Sequence, residues 1–159
     1  MKILVVSDTH GYNANLLKVI EKEKPFEMLV HCGDLSMDAD DLMDIAGTPV
    51  YVCAGNNDYF YNLKQEEMFD IYDHRVLVVH GHRQGVYNGV HQLLYKAEES
   101  DADIVMFGHT HMPYIDEVEG ITFINPGSLT YPRQENRRET YALLNISPDG
   151  TIETELKFL

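Results

Sequence analysis

Repeatedly along this chain, a short apolar run stops at an aspartate or a histidine set beside glycine. KILVV at 2–6 leads into SDTHG, and DIVMF at 103–107 leads into GHTH. Other runs end in HCGD, in GNND and in HGH. Short β-branched runs bounded by turn residues read as buried strands. A fold that buries such strands yet finishes them in ionisable groups must bring those ends to a common edge. Parallel α/β sheets do this, because their sites form outside the carboxyl ends of the strands.

The remaining pattern alternates to match. Strands are expected over 2–7, 27–32, 49–54 and 103–107. Helices are expected over 14–24, with Leu16, Leu17 and Ile20 on one face and Asn13 as its cap, and over 37–46, stopping at Gly47. A third helix is expected over 86–99 from the spacing of Val86, Val90, Leu94 and Ala97. Strands over 113–119, 121–125, 138–146 and 151–158 then follow as an antiparallel set, with turns at Gly120 and Pro148-Asp149-Gly150. The chain shows no internal repeat, low-complexity tract or linker. The fold class is therefore α/β, a two-sheet sandwich.

Composition narrows the function classes. The 159 residues, 44% hydrophobic and 10% aromatic, suffice for one domain over 1–159 with a substantial core, which excludes disorder. A formal net charge of −14, relieved only by RQENRR at 133–138, argues against a nucleic-acid partner. No apolar stretch approaches the roughly 20 residues of a membrane span. MKILVV reads as a strand and not as a signal peptide, and Cys32 and Cys53 read as free core thiols. A cytoplasmic protein is the expectation.

The polar strand ends carry the chemistry. In extended chain, residues i and i+2 point the same way, roughly 6–7 Å apart. Asp8 with His10, and His109 with His111, are thus each placed to flank one centre. Aspartates buried without partners are costly, and a divalent cation removes that cost. Nitrogen and oxygen donors without an obligatory thiolate suit Mn²⁺, Fe²⁺, Zn²⁺, Co²⁺ or Ni²⁺ better than Ca²⁺. The candidates outnumber the needs of one ion, so two ions are expected.

DTH, GD, GNND, HGH and GHTH, in that order, resemble the signature of the calcineurin-like metallophosphoesterases, and the likeness spans nearly the whole chain. INPGS at 124–128 is similar to the small single-domain bacterial and archaeal phosphodiesterases of that superfamily. The resemblance implies the αββα sandwich of the metallophosphoesterase type. It implies Asp8, His10 and His111 on a first metal, Asn56, His80 and His109 on a second, and Asp34 as the bridge. It also implies a phosphodiesterase in which a bridging hydroxide attacks phosphorus at this binuclear centre. Mn²⁺ is the first choice of metal, and Asn125 and Ser128 either bind the substrate phosphate or support the ligands from behind. Many members carry a histidine after the asparagine ligand to assist the leaving group. Here that position is Asn57, which can donate a hydrogen bond but deliver no proton. His82, two residues beyond His80, is the candidate to replace it if both lie on extended chain.

Plainer readings are preferred elsewhere. His31 supports or packs, His74 and His91 are surface residues, and Tyr59, Phe60 and Tyr61 pack in the core or at a rim, with stacking on a substrate base or ring as the other option. Arg133 is a solvated arginine, with a phosphate contact as the other option. His82 stands open between solvent and substrate. The alternative function is a non-catalytic scaffold or binding module, since the superfamily includes a retromer subunit with a weakened metal site. Seven competent ligand positions favour the enzyme. Its expected partner is a small phosphodiester substrate, with no nucleic acid and no membrane; a homo-oligomer is left open.

Overall fold

A computed structural model describes residues 1–159 as two five-stranded sheets packed face to face between outer helices. The strands are β1 (Lys2–Val6), β2 (Met28–His31), β3 (Val50–Val52), β4 (Glu66–Ile71), β5 (His74–Val79), β6 (Ile104–Met106), β7 (Pro113–Val118), β8 (Ile121–Pro126), β9 (Thr140–Ile146) and β10 (Ile152–Phe158). The helices are α1 (Ala14–Glu23), α2 (Ala39–Ala46) and α3 (His91–Glu99). One sheet runs β10-β9-β1-β2-β3 and the other β4-β5-β6-β8-β7. The centre of each sheet is parallel: β1, β2 and β3 in the first, β5, β6 and β8 in the second.

The apolar runs follow from this layering. Side chains alternate along a strand, and both faces of both central sheets are covered, so neither face tolerates polar residues. Ile3, Val5 and Val30 point between the sheets, against Val76, Val78, Ile104 and Met106. Leu4, Val6 and Leu29 point outward onto Leu16, Ile20 and Leu42 of α1 and α2. Leu77, Val105 and Phe123 meet Leu93, Leu94 and Ala97 of α3. The αββα sandwich is the architecture expected.

Several elements differ from expectation. The helix begins at His91, not at 86: residues 82–84 and 86–88 form short 3₁₀ turns, and Gly89 at φ 104° breaks the run. Val86 and Val90 still pack against α3 and its sheet, so the spacing recorded burial and not helix. Asn13 holds the cap position of α1 without a capping side-chain hydrogen bond. β4 was not expected, since its EEMFDI has acidic residues on an exposed edge. β8 lies parallel to β6, which breaks the expected antiparallel set.

A buried polar tie joins α1 to β9. The fully buried Tyr141 donates its hydroxyl proton to Glu23 at 2.6 Å, and the Lys2 ammonium holds the same carboxylate at 3.2 Å. Tyr141→Phe is therefore expected to destabilise the protein by about 1.5–3 kcal/mol, the range for a hydrogen bond to a charged group. A shift of the urea midpoint without a change in slope is the measurement that checks it.

Candidate metal centre

The candidate ligands are held by backbone that no longer follows the strand. Asp8, His10, Asp34, His109 and His111 all have positive φ, between 49° and 69°. Non-glycine residues are uncommon there, Asp and His less so, and such conformations cost about 1–3 kcal/mol each unless the surroundings impose them. Asp8 and His10 thus come together through turned backbone and not along extended chain, whereas the donor atoms of His109 and His111 do not share a group. A ladder beyond the sheets imposes the turns. Asp8 N–H donates to Gly33 O at 3.1 Å, His10 N–H to Asp34 O at 2.8 Å, and Gly108 N–H to His80 O at 3.1 Å. Gly108 packs so tightly that a Cβ there would lie 2.8 Å from Asp8 Oδ2.

Inside this cage the donor atoms converge. The ligand atoms of Asp8, His10 and His111 lie within 4.8 Å of one another, as do those of Asp8, Asp34 and His80. His111 Nδ1–H donates to Tyr131 O at 2.8 Å, and His80 Nδ1–H to Cys32 O at 2.7 Å. Each ring therefore turns its Nε2 inward. His111 Nε2 is 3.2 Å from Asp8 Oδ1 and 3.2 Å from His10 Nε2. Asp8 Oδ1 is buried and has no hydrogen-bond partner. A carboxylate oxygen facing imidazole lone pairs is unsatisfied until a cation lies between them, so these residues fit a divalent metal ion.

The remaining candidates divide. Asn56 Oδ1 is 3.2 Å from His80 Nε2. The His109 ring lies 5.1 Å from the His80 ring, outside both groups, while its backbone N–H donates to Asp8 Oδ2 at 3.1 Å. Asp8 is the carboxylate common to both groups. Asp34 Oδ2 also faces both sides, 3.7 Å from His10 Nε2 and 3.5 Å from His80 Nε2. Asn57 donates to Asp34 twice, from its backbone N–H at 2.8 Å and its side chain at 2.7 Å. His82 begins a 3₁₀ turn and does not continue an extended strand, and its ring centre is 5.4 Å from that of His80.

Of the two places open to Asn125 and Ser128, the structure gives them the supporting one. Both are 0% exposed. The Asn125 amide donates to Gly108 O and Thr110 Oγ1, and Ser128 donates to Asp8 O at 2.8 Å. Their hydrogen-bonding groups hold the ligand loops from behind, which leaves neither side chain in reach of a substrate. His31 also supports from behind. It accepts from Gly33 N–H, so its other nitrogen donates to Thr9 Oγ1 at 3.1 Å. His74 is half-buried and reaches Gly150 O at 2.8 Å, while His91 is exposed as expected. Tyr59 and Phe60 are exposed and not packed.

Asp58, the last residue of GNND, went unassigned in the sequence. It is buried, and its carboxylate accepts from the backbone N–H groups of Asp34, Leu35, Ser36 and Gly55, between 2.7 and 3.3 Å. One side chain thereby clamps the loops after β2 and β3 together. An aspartate in a turn carries no sequence signal that separates this clamp from an ordinary loop residue.

Electrostatics divide the imidazoles. Burial pushes His10 down, and burial together with His80 pushes His109 down to about 4. Both are neutral near pH 7, the form that binds metal. Burial would lower His80 as well, but the Asp34 and Asp8 carboxylates outweigh it and hold its proton above the ordinary histidine range. Burial would raise Asp34, yet His80 and Asn57 keep it ionised well below the usual carboxylate range.

A family model for the calcineurin-like phosphoesterase superfamily domain matches residues 1–149. The chain belongs to that superfamily and is a phosphoric ester hydrolase. It is 33% identical over 151 residues to the probable metallophosphoesterase YsnB of Bacillus subtilis, covering 94% of this chain and 87% of that one. It is 30% identical over 145 residues to the phosphodiesterase MJ0936 of Methanocaldococcus jannaschii, covering 80% and 83%. In fold it is similar to a Streptococcus pneumoniae protein described as a predicted phosphoesterase (TM-score 0.81, 24% identity, 99% and 97% covered). It is also similar in fold to Entamoeba histolytica Vps29 complexed with zinc (TM-score 0.77, 24% identity, 99% of each chain covered).

The Asp58 clamp yields a specific expectation. Asp58→Ala strands four backbone donors beneath the ligand loops, and metal affinity should fall about 10- to 100-fold, as for other partners behind metal ligands. Asp58→Asn keeps one acceptor oxygen and should fall between wild type and Ala. Calorimetric titration of the metal-stripped proteins with Mn²⁺ measures both.

Proposed function

We propose that the protein is a metal-dependent phosphodiesterase that hydrolyses a small phosphodiester at a centre of two divalent ions, with Mn²⁺ as the working metal. The observation that carries this reading is Asp8 Oδ1, buried and unpartnered among inward-turned imidazole nitrogens. Asp8, His10 and His111 would hold one ion, Asn56, His80 and His109 the other, and Asp34 would face both. The similarity to MJ0936 supports a diester substrate. When bound, the ions neutralise charge on the phosphoryl oxygens and acidify a water.

The chain's own residues do the positioning. Carbonyl partners fix the tautomers of His80 and His111, so their metal-binding nitrogens point inward before any ion arrives. Asn57 orients Asp34 and can deliver no proton to the departing oxygen. His82 is the group left for that task. Burial and its charged neighbours His80 and Arg83 hold its ring below the ordinary histidine range. It therefore acts near pH 7 as a neutral hydrogen-bond donor to the leaving oxygen.

Purified protein should bind about two divalent ions per chain, lose activity on chelation, and recover it with Mn²⁺ in preference to Ca²⁺. Because the His80 proton competes with metal, affinity should weaken as pH falls, markedly below about pH 6. Metal analysis and titrations at stepped pH test this. Asp34→Ala should lose the most metal and activity, Asn56→Ala less, and His91→Ala almost none.

The leaving-group assignment has its own test. His82→Ala should barely slow bis-p-nitrophenyl phosphate, whose phenolate departs unaided. It should slow alkyl diesters by about tenfold or more, short of the roughly 10²–10⁴-fold of full proton transfer. Values of kcat/KM across leaving groups of rising basicity decide it; equal slopes for both enzymes would remove His82 from the reaction.

A further inference from the structure

Beside Asn56, a cleft of about 360 Å³ opens between the loop after β3 and the turn after β5. That size falls within the roughly 300–1,000 Å³ of small-ligand pockets. Its walls combine apolar surface from Tyr59, Tyr61 and Leu63 with the donors of Gln65 and Arg83. Asn56 belongs both to this cleft and to the ligand cluster, so the two spaces adjoin.

Two observations mark the cleft as built for a ligand. Tyr59 in the cleft wall is 80% exposed, and Phe60 beside it, outside the cleft lining, is 94% exposed. Neighbouring exposed aromatics form a patch whose burial by a flat partner is favourable. In the same wall, His82 Nδ1 is buried without a hydrogen-bond partner, a state that few buried polar atoms keep.

We propose that this cleft receives one ester arm of the substrate, and that the arm bears a planar heteroaromatic ring, as a nucleoside does. The inference rests on the phosphodiesterase reading above. With the phosphoryl group at the ligand cluster, the arm leaves past Asn56, and its ring stacks on Tyr59. Gln65 and Arg83 offer N–H donors to acceptors on the ring edge. Stacking of this kind tolerates any base, because every base has a π-face. A single cleft in a chain of net charge −14 suits one nucleoside and not a polynucleotide strand.

The test compares adenosine monophosphate with ribose 5-phosphate on the Mn²⁺-loaded protein. Both carry the same phosphate, and only one carries a ring. The chain has 10 tyrosines and no tryptophan, so tyrosine emission reports stacking directly, with calorimetry for affinity. Wild type should bind the nucleotide at least tenfold more tightly, since a stacked base contributes on the order of 10- to 100-fold. Tyr59→Ala should bring the two affinities close together, and Tyr59→Phe should restore the gap. Tyr59 is a surface side chain, so its loss leaves the fold intact. Equal binding of both probes to wild type, or a preference that survives Tyr59→Ala, overturns the proposal. If neither phosphate binds the loaded protein, the phosphodiesterase reading itself fails and takes the cleft assignment with it.

Discussion

Asp8 and Asp34 are carboxylates held almost entirely out of water, and a buried charge is costly unless it is paired and hydrogen-bonded. Three of their four oxygens find N–H or O–H donors: Ser7 and the His109 backbone for Asp8 Oδ2, and Asn57 for both oxygens of Asp34. The fourth, Asp8 Oδ1, faces only imidazole nitrogens. The surrounding architecture follows from that imbalance. Five ligand candidates are bent into left-handed backbone, and the loops around them are cross-tied by main-chain hydrogen bonds. Such local strain persists only where surrounding structure over-determines it. The deep apolar layers on either side of each sheet supply that restraint.

Rigidity is the use of those layers. A divalent ion needs donors placed to within a few tenths of an ångström. Loops alone hold such positions poorly. Here each candidate ligand lies a few residues beyond a strand whose last residue is buried, and the loops are fastened to one another by side chains that never reach the centre. Asp58 joins two loops, Asn125 ties the GHTH turn to β8, and Ser128 grips the backbone of Asp8. The site is thus continuous with the core.

The sequence made the sandwich legible because strands buried on both faces must be apolar throughout, and few other elements look like that. The candidate ligand positions were legible because charged residues at the ends of such strands have no structural excuse. What stayed hidden obeys no period. The 86–90 segment buries Val86 and Val90 at helical spacing without being helical, and Gly89 alone betrays the break. β4 carries acidic residues because its outer side meets water, so it looked like loop. Asn125 and Ser128 stood open between substrate and support because polarity in a glycine turn looks the same whether it faces a ligand or a neighbouring backbone. Only three-dimensional burial separates the two cases. Asp58 escaped for the same reason.

Asn57 shows how far one residue can reach through its partners. In superfamily members with histidine at this position, a proton donor stands beside the ligand asparagine. Here both the main chain and the side chain of Asn57 are committed to Asp34, so the residue's place is dictated by the carboxylate. Hydrogen bonds to an ionised carboxylate favour the charged form. Asn57 therefore helps keep Asp34 anionic inside the protein, and an anionic Asp34 holds the His80 proton that a metal must displace. An amide at this position thus leaves a firmly held carboxylate beside His80, and it has no proton of its own to deliver.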